Sequence, residues 1–360
     1  MIELDTKSIA LYLKRVFGDD ARLVGAGDIG NLDEQGMKGF GYGKPLLLRF
    51  EVGGERREAV LSIMKGDKYG HQFYWDRGAC LMFQYETSAR MERHVLPLGL
   101  GYVDGSDSLV PVDEPREFFI LNEKLDGHDY FLDLDRIRTG DIRDADETLA
   151  REFGRWLARI HHVKHDDPHL YYRRVRNLLG SSECILGLID EAFPHPYLSF
   201  SDERFIALEK RLIDWRWKLK NYAHRLSVVH GDFHPWNVLV TESGDFSVLD
   251  RSRGEWGEPA GDLATMAMNY LLWSLYDTDR MSGPFERLYR AYMEEYLEQT
   301  GDTEIFEVMA PFCVFRGLVI ASPEWYPDHP KSVRHRLFNF VSRVLEDDVF
   351  DWENINKYLE

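Results

Sequence analysis

The chain has 360 residues, of which 44% are hydrophobic and 29% charged, the balance of a globular protein with a sizeable core. With 44 basic and 62 acidic residues the formal net charge is −18, which argues against nucleic-acid partners. Solubility is the more common reason for such a charge, and the charge would also suit a cationic small molecule or a phosphate donor that arrives with Mg²⁺. The three cysteines are scattered and form neither a disulfide framework nor a zinc pattern. No apolar run reaches the length of a membrane span, and residues 1–20 lack the apolar core of a signal peptide. We therefore expect a cytoplasmic protein without a membrane partner.

The first third of the chain has the pattern of a sheet with one inserted helix. Residues 7–17 carry apolar side chains at helical spacing. Short runs rich in β-forming residues follow, separated by glycine-rich or charged turns. They are residues 21–30, 45–52 and 57–65. Residues 74–95 then have a helical pattern, and 116–127 is predicted to be a strand that ends in a turn.

After about residue 127 the pattern becomes helical. Residues 147–163 place apolar side chains three and four positions apart on one face, so this helix is expected to pack on a core. Residues 203–225 and most of 262–358 are also predicted to be helices. Between these helical stretches, 226–250 holds short strand runs and the turn sequence Thr-Glu-Ser-Gly-Asp.

Residues 229–237, Val-His-Gly-Asp-Phe-His-Pro-Trp-Asn, place two imidazoles, a carboxylate and a carboxamide directly after an apolar run. His230 and His234 are four positions apart, as in zinc-binding helices. Gly231 and Pro235 disfavour a helix here, however, and no third soft ligand is nearby. A serine hydrolase would need a nucleophile in a G-x-S-x-G turn, and the sequence has none. A zinc site and a serine hydrolase site are therefore both disfavoured.

The spacing of this segment matches a phosphoryl-transfer loop. In kinase catalytic loops an aspartate accepts the proton of the substrate hydroxyl, and an asparagine five residues later binds Mg²⁺. Asp232 and Asn237 have this separation, and Asp250 ends the strand that follows the next turn. The turn lets two strands run back to back, so Asn237 and Asp250 can converge on one ion. A carboxylate and a carboxamide oxygen are hard ligands of the kind that Mg²⁺ prefers.

Residues 226–265 resemble the aminoglycoside phosphotransferase/choline kinase-like family of small-molecule kinases. That family shows H-G-D-x-H-x-x-N, a strand ending in Asp, and then G-[D/E]-P-x-x-D-L-A, which here is 257–264. The helix end Leu-Ala-Arg-Ile-His-His-Val at 157–163 resembles the family's L-A-x-x-H. The resemblance implies an α+β, protein-kinase-like bilobed fold that binds ATP between its lobes. The N-terminal lobe, residues 1–126, would be an antiparallel sheet with one helix and the hinge strand, and the C-terminal lobe, 127–360, would be mainly helical.

The resemblance also implies roles for individual residues. Asp232 would be the catalytic base, Asn237 and Asp250 would hold Mg²⁺, and Asp262 would be a structural anchor on the following helix. His230 and His234 are expected to orient the loop by hydrogen bonding. These roles and residues are carried over from the family's motif.

The chain departs from the family pattern after Asp250. Many relatives have an aromatic residue and then another acid at that point, whereas this chain has Arg251 and Ser252. A second metal ion that depends on that acid is therefore not expected. Arg251 and Arg253 are expected to face solvent or to pair with glutamates, and contact with phosphate is the alternative.

The nucleotide site requires further groups. A kinase lysine on the third strand pairs with ATP phosphates and with a helix glutamate. The sequence predicts Lys65 and Glu86, with Lys68 and Glu92 as alternatives. The glycine-rich segment 25–43 is a candidate for the loop whose backbone N–H groups cradle phosphates.

The hinge is predicted from Asn-Glu-Lys-Leu-Asp-Gly at 122–127, which resembles the family's E-x-x-x-G. The resemblance implies that adenine takes hydrogen bonds from the backbone of Glu123 and Leu125.

Asp250 and Asp262 are only 262 − 250 = 12 positions apart. A protein kinase needs a longer activation segment there to dock a peptide. We therefore predict γ-phosphoryl transfer from ATP to a hydroxyl of a small molecule, amine-bearing metabolites and aminoglycoside-like acceptors included. The acceptor is expected among the helices after 165, which the loop 323–330 can approach. The alternative is a catalytically weak nucleotide-binding module of the same fold, and the retained Asp232, Asn237 and Asp250 argue against it.

Overall fold

The computed structural model describes most of the chain as two compact units, Met1–Asn122 and Glu123–Glu360. The residues described are 6–28, 45–88, 90, 95–113, 115, 117–118 and 120–360. The division falls near residue 126, where the sequence pattern changes from strands to helices. Among the described residues, no helix is both long enough and apolar enough to span a bilayer.

The first unit is built on an antiparallel sheet. Its strands are β1 (Arg22–Asp28), β2 (Leu46–Val52) and β3 (Glu55–Leu61), in the order β1-β2-β3. Gly53 and Gly54 form the turn between β2 and β3 with φ of 60° and 82°, values that glycine adopts without a steric penalty.

Helix α1 (Thr6–Phe17) packs against this sheet. Ile9 and Leu13, one helical turn apart, are buried with Leu48 and Phe50 of β2. The apolar spacing predicted from the sequence therefore supplies the small core of this unit. Helix α2 (Tyr74–Ser88) follows β3.

Three features of this unit differ from the sequence prediction. Strand β3 ends at Leu61, before the end of the predicted run. The hairpin of β4 (Leu100–Val103) and β5 (Leu109–Val112) was not predicted, since its strands are short and pair Gly101 with Pro111, two residues that weaken a strand signal.

The third difference concerns the hinge. Among the described residues of 116–127, none belongs to a strand. The side chains of Phe118, Ile120 and Leu121 are exposed, so this apolar run does not pack as a half-buried strand would.

The second unit is mainly helical. Its helices are α3 (Tyr130–Arg138), α4 (Asp144–His161), α5 (Pro168–Gly180), α6 (Ile185–Glu191), α7 (Asp202–Leu219), α8 (Ala260–Asp277), α9 (Gly283–Thr300), α10 (Ile305–Val308), α11 (Ala310–Ala321) and α12 (Lys331–Arg343). Its short strands are β6 (His128–Asp129), β7 (Ser227–Val228), β8 (Val238–Val240), β9 (Phe246–Val248) and β10 (Trp256–Gly257). They form a β6-β8-β9 sheet and a β7-β10 pair. The predicted α+β class is confirmed.

Helix α8 is the central helix of this unit. Fifteen of its 18 residues are buried, and it packs against α9, α11 and α12. A helix that is apolar on every side is stable only when it is surrounded. The rigid position of α8 matters for function because Asp262 lies in its first turn.

Helices α4 and α9 lie against each other at Gly154 of α4. A Cβ atom at this position would lie 2.6 Å from the Tyr292 carbonyl oxygen and 3.1 Å from the Tyr296 amide nitrogen. We expect Gly154→Ala to lower the free energy of unfolding by about 1–3 kcal/mol, the usual cost of overpacking. Urea unfolding measures it. Gly180→Ala is the matched control because a Cβ there meets nothing within 4 Å, and an equal effect of both substitutions would contradict the prediction.

Candidate active site

The loop between β7 and β8 is held by a buried carboxylate. The N–H groups of His230 and Gly231 donate hydrogen bonds to the two oxygens of Asp262, at 2.7 and 2.8 Å. His161 Nε2 lies 3.2 Å from one of these oxygens. Burial alone would raise the pKa of Asp262, but the hydrogen bonds from His161 and Gly231 outweigh it and the pKa lies below its usual value. Asp262 therefore acts as the anchor that the sequence predicted.

The segment after Asp250 lies directly on this loop. Gly231 has φ of 98°, and a Cβ atom there would lie 2.5 Å from the Gly254 nitrogen. Arg251 donates hydrogen bonds to the Val229 carbonyl at 3.0 and 3.2 Å. The Arg251 side chain thus bonds to the loop while it remains exposed to solvent, as the sequence predicted.

Asp232 is oriented from both sides by the loop itself. Its N–H donates to His230 Nδ1 at 3.3 Å, and its carbonyl accepts a hydrogen bond from Asn237 Nδ2 at 3.1 Å. Asp232 and Asn237 are both buried. The five-residue spacing thus closes the loop through a side chain, and His230 has the orienting role that was predicted for it.

The Asp232 carboxylate faces two arginines. Arg253 Nη1 lies 2.8 Å from Oδ2, and Arg316 Nη1 lies 3.9 Å from Oδ1. Burial raises the pKa of Asp232, the two guanidiniums oppose the rise, and the nearby Asp250 adds to it, so that the pKa lies above its usual value. A carboxylate with a raised pKa is a stronger proton acceptor, as a general base requires.

Asn237 and Asp250 are brought together by the hairpin of β8 and β9. Val238 pairs with Val248, and the Leu249 N–H donates to the Asn237 carbonyl at 2.9 Å. Asp250 follows Leu249 with φ of 51°, in the left-handed region, and its side chain is exposed. Strand pairing thus places Asn237 opposite the residue before Asp250, and the convergence of the two side chains on one ion stays a prediction.

These two residues fit Mg²⁺. The Asn237 amide nitrogen is committed to the loop, so the carboxamide oxygen is the atom left to bind a cation. Mg²⁺ takes one or two protein oxygens and keeps several waters, which a carboxamide and an exposed carboxylate satisfy. Among the described residues, no group of three or more His, Cys, Asp and Glu side chains is placed to hold a metal.

His234 lies beside the Asp232 carboxylate, with its Nε2 3.7 Å from Oδ2. Its Nδ1 accepts a hydrogen bond from the Trp236 N–H at 3.2 Å. Burial and the nearby Arg316 and Arg253 lower the pKa of His234 to about 2, so the imidazole is neutral. Trp236 lies near Tyr326, with ring centroids 6.1 Å apart, so the loop 323–330 does approach the catalytic loop.

The predicted phosphate-binding pair lies in the first unit. Lys65 lies beyond the end of β3 and Glu86 lies in α2, and both side chains are exposed. Among the described ion pairs, none joins these two residues. Lys68, the alternative, has its Nζ 5.7 Å from the centre of the Tyr69 ring. Glu92 lies outside the described residues, and the roles of Lys65 and Glu86 stay predictions.

The remaining nucleotide contacts are also untested. Glu123 is exposed and Leu125 is half-buried, and their predicted backbone contacts to adenine stay predictions. The glycine-rich segment 25–43 lies outside the described residues except for 25–28, which belong to β1.

A model of the phosphotransferase enzyme family matches residues 89–306. The chain belongs to this family. The match confirms the recognition made from residues 226–265 and, with it, the kinase-like fold. None of the curated proteins matches the chain in sequence.

Solved structures of small-molecule kinases resemble the chain at low identity. A glucosamine kinase in complex with glucosamine, ADP and inorganic phosphate is 17% identical with a TM-score of 0.38, and the match covers 61% of this chain and 59% of that one. The choline kinase LicA from Streptococcus pneumoniae is 13% identical with a TM-score of 0.35, covering 94% and 98%. The Plasmodium vivax ethanolamine kinase is 14% identical with a TM-score of 0.34, covering 99% and 88%. The chain thus spans about three fifths of that glucosamine kinase.

The sequence analysis did not place either of the two arginines beside Asp232. Arg253 was expected to face solvent or pair with a glutamate; Glu183 lies 3.8 Å from it, but its shortest ion pair is with Asp232. Arg316 was not singled out at all. Its position could have indicated its role, because Arg316 is the one charged residue in the apolar helix α11. An arginine in such a helix is expected to be buried, and a buried arginine requires a partner.

Proposed function

We propose that the protein is an ATP-dependent kinase that transfers the γ-phosphoryl group to a hydroxyl of a small molecule. The observation that carries the proposal is the arrangement of Asp232, Asn237 and Asp250. A buried carboxyl of raised pKa lies in a loop closed by Asn237, and the strand opposite Asn237 leads directly to Asp250. Family membership supports the same chemistry.

In this mechanism Asp232 positions the acceptor hydroxyl and takes its proton as the oxygen attacks the γ-phosphorus. Asn237 and Asp250 would hold Mg²⁺, which supplies charge neutralisation for the phosphates when it is bound. Asp262 keeps the loop backbone in place through its bonds to His230 and Gly231. The burial of Asp232 limits the access of water to the proton acceptor.

A small acceptor is supported by the chain between Asp250 and Asp262. Arg251 bonds to the Val229 carbonyl, and β10 pairs with β7. This segment is therefore folded onto the catalytic loop and offers no extended stretch for docking a peptide. Sugars and amines both fit this constraint.

The direct test is a phosphorylation screen. Purified protein is incubated with Mg-ATP and a panel of hydroxylated sugars, amines and acids, and ADP release and a phosphorylated product are measured. We expect turnover with at least one acceptor. Mg²⁺-independent ATP binding with no turnover on any acceptor would favour the nucleotide-binding module instead.

A separate prediction concerns the metal ligands. We expect Asp250→Asn to raise the Mg²⁺ concentration needed for half-maximal ATP binding by at least about 10-fold. The reason is that loss of a direct ligand lowers metal affinity at least as much as loss of an outer-shell partner. Calorimetric titration of ATP at several Mg²⁺ concentrations measures it. Asp245→Asn is the matched control, an exposed aspartate in the turn of the same hairpin. Unchanged Mg²⁺ dependence in Asp250→Asn would remove this residue from the metal site.

A further inference from the structure

Arg253 and Arg316 reach the Asp232 carboxylate from two separate parts of the second unit, and the mechanism above uses neither. Arg316 extends from α11 and is only 3% exposed, and Arg253 follows Asp250 by three residues. In each guanidinium the buried Nε atom has no hydrogen-bond partner within the described part of the chain. Neither guanidinium therefore has all of its N–H donors satisfied by the described part of the chain.

The charges around this pair do not balance. Asp232 is the buried carboxylate that both guanidiniums face, and Glu183, 3.8 Å from Arg253, is largely exposed. The other polar partner described for Arg316 is the neutral Asn269 Oδ1, at 3.3 Å from Nη2. Asp250 is assigned to the metal. Burying a cation is costly unless an anion pairs with it, so the acceptor side of Asp232 carries an unmatched positive charge.

The groups that complete this surface are neutral. Burial and the two arginines keep His234 uncharged, with a pKa of about 2. Burial raises the pKa of the Cys184 thiol to about 11 and raises that of Tyr326. None of these side chains supplies the missing negative charge at neutral pH.

We propose that the acceptor carries an oxyanion, a carboxylate or a phosphate ester, which binds between Arg253 and Arg316 while the hydroxyl of the same molecule meets Asp232. The guanidinium fork matches both kinds of oxyanion. The inference rests on the proposed function and narrows its substrate class. It also reverses the expectation from the net charge of the whole chain, because an amine would be placed against two guanidiniums.

The same contact explains how the base becomes available. At 2.8 Å, Arg253 stabilises the ionised form of Asp232 and so weakens it as a proton acceptor. An acceptor oxyanion competes with Asp232 for Arg253. Binding of the correct acceptor therefore releases the carboxylate for the incoming hydroxyl.

The first experiment compares two series of acceptors, each built on one carbon skeleton with neutral, anionic or cationic substituents: glucose, glucuronate, glucose 6-phosphate and glucosamine, and glycerol, glycerate and glycerol 3-phosphate. We expect the anionic members to have kcat/KM at least about 10-fold above their neutral and amine counterparts, the value of one charged hydrogen bond. The carboxylate and phosphate members distinguish the two oxyanions. Preference for a neutral or amine member overturns the inference and leaves the kinase assignment standing.

The second experiment measures binding without turnover. Malonate is titrated calorimetrically into protein saturated with Mg-ADP, and we expect its dissociation constant to rise about 10- to 100-fold in Arg316→Gln and in the more exposed Arg253→Gln. Arg287→Gln, a surface arginine of α9 paired with Glu147, is the matched control. Absence of malonate binding, or equal binding in all four proteins, overturns the inference.

Kinetics separate this site from one for the γ-phosphate of ATP. We expect the arginine variants to raise the KM of an anionic acceptor about 10- to 100-fold and to raise the KM of its neutral counterpart, and that of ATP, by a smaller factor. An equal fall in kcat for charged and neutral acceptors would assign the arginines to the donor phosphate. Mg²⁺-independent ATP binding with no turnover on any acceptor would instead defeat the proposed function.

Discussion

Asp232→Asn is expected to lower kcat by about 10²- to 10⁴-fold, the range lost with a general base. The carboxamide has the size of the carboxylate but does not accept the hydroxyl proton. The dissociation constant of Mg-ATP is expected to change by less than about 2-fold, since Asp232 is assigned no part in binding the nucleotide. Steady-state ADP release and calorimetric titration of ATP provide the two measurements.

The backbone setting of residue 232 makes this substitution informative. The loop is closed by the Asp232 N–H and carbonyl, which bond to His230 and Asn237 and do not depend on the side chain. The asparagine also retains one oxygen that can accept from Arg253. The loop is therefore expected to keep its shape, and circular dichroism and the melting temperature check that the variant is folded.

Asp245→Asn serves as the control, because it removes an exposed carboxylate from the adjacent hairpin turn and is expected to leave kcat and ATP affinity unchanged. If Asp232→Asn instead weakened Mg-ATP binding by more than about 10-fold and left kcat at saturation intact, Asp232 would be a metal ligand and the assigned roles would have to be exchanged.

Local spacing was sufficient to predict the core of the site. Asp232, Asn237 and Asp250 lie within one loop and one hairpin, so strand pairing brings them together whatever the rest of the chain does. The anchoring role of Asp262, in the first turn of α8, was predicted from the resemblance to the family's motif. The loop and the hairpin are short-range features, and hydrophobic periodicity together with a turn sequence is enough to predict them.

The positions of Arg253 and Arg316 beside Asp232 cannot be predicted from residue spacing. Arg316 is 316 − 232 = 84 positions from Asp232, and it arrives there through the packing of α11 against α8. Arg253 is close in sequence, but its direction is set by the close approach of Gly254 to Gly231. A charge pattern alone does not say whether an arginine turns toward solvent or toward a buried carboxylate.

The first unit shows the same limit in its strands. The pattern of 57–65 gave a strand that includes Lys65, but the ladder with β2 ends where Leu61 pairs with Leu46. A strand continues only as far as its partner provides hydrogen bonds. The apolar run 57–65 does not itself show how far the partner strand β2 extends.

The whole-chain charge and the proposed acceptor site favour acceptors of opposite charge. A net charge of −18 describes the surface potential that a distant ligand meets. In the proposed acceptor site, recognition would depend on the two guanidiniums within 4 Å of Asp232. The net charge of the chain and the charge of the proposed acceptor site have opposite signs, so the matched series of acceptors is the decisive comparison.

Asp262→Ala is expected to lower the free energy of unfolding by about 3–5 kcal/mol, the cost of breaking a buried charged network. The Asp262 side chain is 0% exposed, and its loss leaves the N–H groups of His230 and Gly231 buried without their acceptor. Urea unfolding followed by tryptophan fluorescence measures the change. Asp277→Ala, at the other end of α8, is the control: this aspartate is half exposed and lies 3.9 Å from Arg138, so its loss is expected to cost no more than about 1 kcal/mol.

The pH dependence of stability gives an independent check on Asp262. The folded protein holds its pKa below the usual value, so its contribution to stability is complete above the unfolded-state pKa of about 3.9 and is lost as the pH falls through the lower folded-state value. Asp262→Ala is therefore expected to lose less stability than the wild type over this acidic range, so that the difference between the two proteins narrows as the pH falls. A difference that stays constant from neutral to acidic pH would show that the carboxylate is not what holds the loop, because only an ionised Asp262 accepts all of these hydrogen bonds.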